Sequence, residues 1–271
     1  MSFAGKTVWI TGASSGIGAA LARELSRRAG RLILSGRDEG RLSAVAGELE
    51  TEALVLPFEV TDEAAMIAAT DRATAWHSGV DIFVANAGIS QRSLAVETDM
   101  AVYRRIIEVD LTAQIAASQA LLPHMVARGS GALVFISSVA GKIGVPMRTA
   151  YCAAKHGLIG YADALRAELS QSGVAVHVVC PGSVATNVSR NALTGSGAAR
   201  GRSDRAIDEG IPAAEAAAAI LDGIAAGQRE IVVARGVEAA MGELRRTPDA
   251  LLDQMAAMVA AGYMQTMQAE D

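Results

Sequence analysis

Short apolar runs alternate with longer segments of helical periodicity along most of the chain. The runs TVWIT (7–11), RLILS (31–35), ALVLPF (53–58), VDIFVA (80–85), GALVFIS (131–137), AVHVVC (175–180) and EIVVA (230–234) are continuously apolar rather than alternating. Such runs read as strands buried on both faces, as in a parallel sheet. Helical patterns lie between them, near 16–28, 38–50, 62–77, 99–127, 149–171 and 213–226. Right-handed crossovers then predict an α/β fold with a doubly wound parallel sheet. No linker, repeat or charge block divides the chain, so residues 1–271 are expected to form one domain. The irregular stretch 183–210 is rich in Gly, Ser and Arg and follows a strand end. Its length and place predict a substrate lid. The part 236–271, with the Met-rich run MAAMVAAGYMQTM, reads as an amphipathic helical extension near the lid or at an interface.

Composition narrows the function. Hydrophobic residues make up 51% of the chain, enough for a large core, and the net charge is −5. That balance argues against a nucleic-acid or anionic-membrane surface, both of which need a basic field. Apolar runs such as AAAAI (216–220) fall far short of a membrane span, and residues 1–10 lack a signal-peptide core. Two cysteines, Cys152 and Cys180, are too few for a disulfide framework. No CxxC or HxxxH spacing occurs, so no metal site is expected. A cytoplasmic protein is expected. The basic residues are 21 arginines and only three lysines (Lys6, Lys142 and Lys155), which makes a lysine placed beside a tyrosine informative.

Two segments carry candidate chemistry. TGASSGIG (11–18) leaves the first strand and opens the first helix, with Gly12, Gly16 and Gly18 spaced for a tight turn, close approach of a pyrophosphate and close helix–strand packing. Ser14, Ser15 and Ile17 share the turn, and the whole is a candidate dinucleotide site. The second strand ends Ser35–Gly36–Arg37. An acidic residue about 20 positions after the glycines suits the ribose hydroxyl of NAD, whereas an arginine suits the 2′-phosphate of NADP. Arg37 stands 19 positions after Gly18, and Asp38 reads as a helix cap. NADP(H) is therefore expected over NAD(H). In YCAAK (151–155), Tyr151 and Lys155 are four apart and share a helix face. A tyrosine alone ionises near pH 10, and an adjacent cation favours its phenolate.

Together, TGASSGIG, NAG (86–88), Ser138, YCAAK and PGSVAT (181–186) resemble the short-chain dehydrogenase/reductase family over about residues 5–235. The resemblance implies a Rossmann fold with a seven-stranded sheet, commonly a homodimer or homotetramer. It implies an enzyme in which Tyr151 is the acid/base, Lys155 its partner and Ser138 the group that binds the substrate oxygen. Asn86, Ala87 and Gly88 would support the adenosine side of the cofactor. Pro181 and Gly182 would flank the nicotinamide, with Val184 and Thr186 at its carboxamide. The substrate pocket would be lined by 89–92, 139–148 and 183–210, and a hydrophobic secondary alcohol or ketone is favoured.

Two positions depart from the pattern. Asp110, in VDLTA, stands where the family usually has asparagine. Either its charge offsets that of Lys155, or the side chain turns elsewhere and backbone takes the role. Glu59–Val60 replaces a common Asp–Val pair at the adenine, with Glu59 reaching further. Two rivals remain: reduction of 3-oxoacyl thioesters, and a non-catalytic sensor or scaffold that binds NADP(H).

Overall fold

Strand β1 (Thr7–Thr11) sends Val8 and Ile10 to one face of a sheet and Trp9 to the other. Its continuous apolar run thus serves two cores at once, as expected for a strand covered on both sides. The computed structural model describes residues 2–28 and 30–265. After β1 come α1 (Gly16–Arg27), β2 (Arg31–Gly36), α2 (Glu39–Gly47), β3 (Ala53–Pro57), α3 (Glu63–Ala75) and β4 (Ile82–Ala85). Next are α4 (Met100–Ile107), α5 (Ala113–Arg128), β5 (Gly131–Ile136), α6 (Thr149–Glu168) and β6 (Val174–Pro181). The chain continues through β7 (Val184–Ala185), α7 (Arg205–Asp208), β8 (Ile211–Pro212), α8 (Ala213–Ala225), β9 (Glu230–Val233), α9 (Gly236–Leu244) and α10 (Asp249–Ala260).

Seven parallel strands form the main sheet in the order β3-β2-β1-β4-β5-β6-β9. This is the doubly wound Rossmann-type sheet. Val8, Ile10, Leu32, Leu34 and Val134 meet α1, α2 and α8 on one face. Trp9, Ile33, Phe83, Leu133 and Phe135 meet α3, α5 and α6 on the other. Phe83 and Phe135 are fully buried, each contributing about 1.5–3 kcal/mol. The indole of Trp9 packs edge-on to Phe83 at 5.2 Å, and its N–H donates to Ser35 Oγ at 2.8 Å. The winding direction reverses between β1 and β4, which opens a crevice at their carboxyl ends.

Three segments differ in detail from the sequence expectation. The helix expected over 99–127 is interrupted by a π-helical turn, Glu108–Thr112, between α4 and α5. Both Val109 and Asp110 are buried there, whereas apolar periodicity carries no mark of one inserted residue. The stretch 183–210 is not structureless: β7 pairs with β8, α7 lies between them, and Leu193 bridges to Gln91. The carboxyl-terminal part forms two helices, α9 and α10, with Pro248 at the start of the second. The last stretch of the expected extension, 266–271, lies outside the described residues.

Candidate active site

The β1–α1 turn is shaped by its neighbours. Gly12 (φ +65°) and Gly16 (φ +55°) adopt left-handed backbone, which costs any other L-residue free energy. A Cβ on Gly12 would stand 2.9 Å from both Ala87 Cα and Asn86 Nδ2, and one on Gly16 would stand 3.3 Å from Thr186 Cγ2. Asn86 Nδ2 donates to Thr11 O at 2.9 Å and Gly12 O at 3.3 Å, tying the end of β4 to the turn. Ser15, the N-cap of α1, makes no side-chain cap bond. The helix therefore offers its first amides and positive dipole end to a cleft of about 890 Å³. Gly12, Ser14, Ser15, Gly16 and Ile17 line that cleft, so the turn fits a pyrophosphate. Gly18 does not line it. A Cβ there would collide with the Gly12 carbonyl oxygen, so this glycine serves the packing of helix against turn.

At one end of the cleft stand Arg37, Arg41, Glu59, Val60 and Arg105. Asp38 is engaged as the cap of α2, accepting from Arg41 N–H at 3.0 Å. Glu59 sits 3.7 Å from Arg37 and 3.3 Å from Arg105. Arg105, on α4, is 68 positions from Arg37, and no local motif marks it. Only the fold brings the two together.

The other end holds the tyrosine. Tyr151 and Lys155 share a face of α6, and the Lys155 ammonium lies 5.6 Å from the Tyr151 ring centroid. Lys155 Nζ donates to Ile136 O at 3.0 Å and pairs with Asp110 Oδ2 at 3.3 Å. Asp110 Oδ1 accepts from Ile89 N–H at 2.8 Å, so the π-turn aims this carboxyl inward. Burial raises the Asp110 pKa against the pull of Lys155. Burial likewise works against the Lys155 ammonium, but the charges of Asp110 and Tyr151 outweigh it and leave its pKa raised. Gly88 leaves room for the pair: a Cβ there would stand 3.2 Å from Asp110 Oδ2. Ser138 Oγ donates to Pro181 O at 3.2 Å and accepts from Ala140 N–H at 3.1 Å. Asn86, Ala87, Gly88, Pro181, Gly182, Val184 and Thr186 complete the cleft wall between these groups.

Two anchoring residues escape the sequence motifs. Glu238 on α9 accepts from Ser183 N–H at 2.7 Å and Ser183 Oγ at 2.8 Å, pinning the segment after β6. Gln114 Nε2 donates to the carbonyls of Ala87 and Val109. Beyond the tyrosine, Asp204 of the 183–210 stretch meets Arg92 at 2.6 Å, Arg148 at 3.5 Å and Arg200 at 2.5 Å. Burial opposes the Asp204 charge, but hydrogen bonds from Arg92, Ser189 and Arg200 outweigh it and hold its pKa well below the carboxylate range. Lys142, expected in the pocket wall, is instead buried against Glu230 at 2.6 Å. Burial pushes the nearby Cys180 thiol up to about 12, so it stays protonated at neutral pH.

Comparison with known proteins agrees with this geometry. Residues 6–196 match the family model described as short chain dehydrogenase. Dehydrogenase/reductase SDR family member 7B of Danio rerio is 39% identical over 238 residues, covering 84% of this chain and 77% of that protein. A short-chain dehydrogenase/reductase from Burkholderia phymatum, solved with NAD, superposes with TM-score 0.81 at 23% identity over 92% of this chain and 98% of that one. A variant of actinorhodin polyketide ketoreductase, solved with NADPH, is 32% identical with TM-score 0.65, over 67% of this chain and 72% of that one. The chain belongs to the short-chain dehydrogenase/reductase family, whose members are nicotinamide-dependent oxidoreductases. No helix among the described residues is long and apolar enough to cross a membrane.

Proposed function

We propose that this chain interconverts a secondary alcohol and a ketone of hydrophobic character with NADP(H) as cofactor. The observation that carries the reading is the convergence of Ser138, Tyr151 and Lys155 on the cleft into which the α1 amino terminus opens. A bound nicotinamide supplies hydride to the carbonyl carbon in reduction and accepts it in oxidation. Tyr151 protonates the carbonyl oxygen in reduction and takes the alcohol proton in oxidation. Lys155, held by Ile136 O and Asp110, stabilises the phenolate left behind. Ser138 turns its hydroxyl hydrogen from Pro181 O towards the substrate oxygen and so opposes the developing negative charge. Ile89, Val188, Leu193 and Ile207 give the cleft apolar wall, which supports a hydrophobic substrate. Arg37 and Arg105 support a 2′-phosphate, since Asp38 is consumed as a cap.

The proposal extends to the rest of the chain. Residues 183–210 act as the substrate lid of a single unit spanning 1–271, which assembles as a homodimer or homotetramer in the cytoplasm. Reduction of 3-oxoacyl thioesters is a second reading. It is favoured by the arginines around Asp204, three guanidiniums against one carboxylate.

A panel of plain ketones and an acetoacetyl thioester, followed by NADPH absorbance, tests both. Consumption with the ketones is expected, and consumption with the thioester alone transfers the assignment to the second reading. Tyr151→Phe should lower kcat about 10²- to 10⁴-fold, the span of general acid–base catalysis, while NADPH still binds. No turnover with any compound while NADPH binds favours a non-catalytic sensor, and turnover unaffected by Tyr151→Phe removes Tyr151 from the chemistry.

A further inference from the structure

The segment after β4 forms a strap between the 183–210 stretch and the start of α6. Arg92 N–H donates to Leu193 O at 2.9 Å, Leu193 N–H to Ser90 O at 2.8 Å, and Ser93 N–H to Met147 O at 3.1 Å. At the centre of the strap Gln91 has 0% exposure. A buried primary amide is unfavourable unless its donors and acceptor are paired, and here they are. Gln91 Nε2 donates to Ser93 Oγ and Thr98 Oγ1, both at 3.0 Å. Gln91 Oε1 accepts from Ala150 N–H at 2.9 Å.

Ala150 is the second residue of α6 and the immediate neighbour of Tyr151. Helix α6 lacks a side-chain cap of its own, because Arg148 occupies the N-cap position without making the bond. Gln91 supplies that cap from 59 residues away. Met147, just before the helix, holds a left-handed φ of +64°. Such backbone persists only where its surroundings fix it, and the bond from Ser93 N–H to Met147 O is one such restraint.

We propose that Gln91 is a positioning residue for Tyr151, fixing the first turn of α6 and linking its orientation to the lid segment through the strap. The proposal rests on the reading of Tyr151 as the acid/base. Gln91 does not line the cofactor cleft, so its effect should fall on turnover rather than on NADPH affinity.

Gln91→Met matches the volume and removes the amide, whereas Gln91→Glu keeps an acceptor for Ala150 N–H. Three readouts apply: NADPH affinity by fluorescence, kcat and KM on a ketone that the parent reduces, and amide exchange over 149–152. Gln91→Met should lower kcat about tenfold, a change of about 1.4 kcal/mol, speed exchange over 149–152, and leave NADPH affinity within about twofold. Gln91→Glu should recover part of the lost kcat and slow that exchange again. Unchanged kcat and exchange in Gln91→Met overturn the proposal, as does a Gln91→Glu variant no better than Gln91→Met. Should Gln91→Met fail to fold, Thr98→Val removes one anchor of the amide; it should lower kcat about twofold or more, and unchanged kcat and exchange there overturn the proposal equally. A parent protein that reduces no carbonyl compound refutes the function itself. A parent that does, with no Gln91 effect, refutes only this inference.

Discussion

Asp110 stands where the sequence resemblance implies an asparagine, and its carboxyl lies 3.3 Å from Lys155 Nζ. Of the two alternatives open in the sequence, the geometry selects the one that sets the side chain against Lys155, where its ionised form would offset the ammonium. A negative charge there weakens the field with which Lys155 favours the Tyr151 base form needed for oxidation. Asp110→Asn should therefore move the rising limb of the oxidation pH–rate profile to lower pH. Superimposable profiles would remove Asp110 from the proton chemistry. Gly18 gives a second test. A methyl at Gly18 would collide with the Gly12 carbonyl and with Asn86 Nδ2, which is itself held by Thr11 O and Gly12 O, so Gly18→Ala should cost about 1–3 kcal/mol in denaturant unfolding. An unchanged midpoint would show that the turn relaxes freely. The glycine-rich turn and the Tyr151–Lys155 pair were legible as short local motifs, and Ser138 through the family resemblance. Gln91, Arg105 and Glu238 were not, because each acts on a residue distant in sequence.

The elements show the same division between local and non-local information. The strands and most helices follow from continuous apolar runs and 3.6-residue periodicity, down to the capping aspartate Asp38; the equivalent cap Asp62 was not read from the sequence. The π-turn at 108–112 and the short β7–β8 pair leave no periodic trace, since both arise from how the chain packs around the cleft. Among the contacts that fasten the stretch 183–210, the ion pairs of Asp204 are the ones that depend on pH. The folded pKa of Asp204 lies below the unfolded value, so its contribution is complete above the ordinary carboxylate range and is lost progressively as pH falls from there towards the folded value. Limited proteolysis within 183–210 should therefore be slow and constant from about pH 8 to 5 and accelerate below about pH 4, while circular dichroism still reports a folded sheet. Asp204→Asn should be cut quickly at every pH. Equal cutting rates in parent and variant at neutral pH would mean that other contacts hold this segment.

On the scale of the whole molecule, a net charge of −5 repels an anionic dinucleotide, yet one end of the cleft is locally basic. Arg37, Arg41 and Arg105 gather there with two carboxylates, Glu59 beside Arg37 and Arg105 and Asp38 beside Arg41, which leaves a local excess of one positive charge. Arg37 is 71% exposed, so its attraction for a phosphate is open to screening by salt over a Debye length of about 10 Å at 0.1 M. NADPH and NADH share the pyrophosphate and differ only in the 2′-phosphate, so the ratio of their kcat/KM values isolates this end of the cleft. That ratio should favour NADPH and fall as ionic strength rises. Arg37→Ala should lower kcat/KM for NADPH about 10- to 100-fold, the loss of a charge-assisted hydrogen bond of about 1.5–3 kcal/mol, with little change for NADH. The same substitution should flatten the salt dependence, because the exposed cation that salt screens is gone. A parent that prefers NADH would show instead that Glu59 neutralises the arginines and turns this end of the cleft towards a ribose hydroxyl.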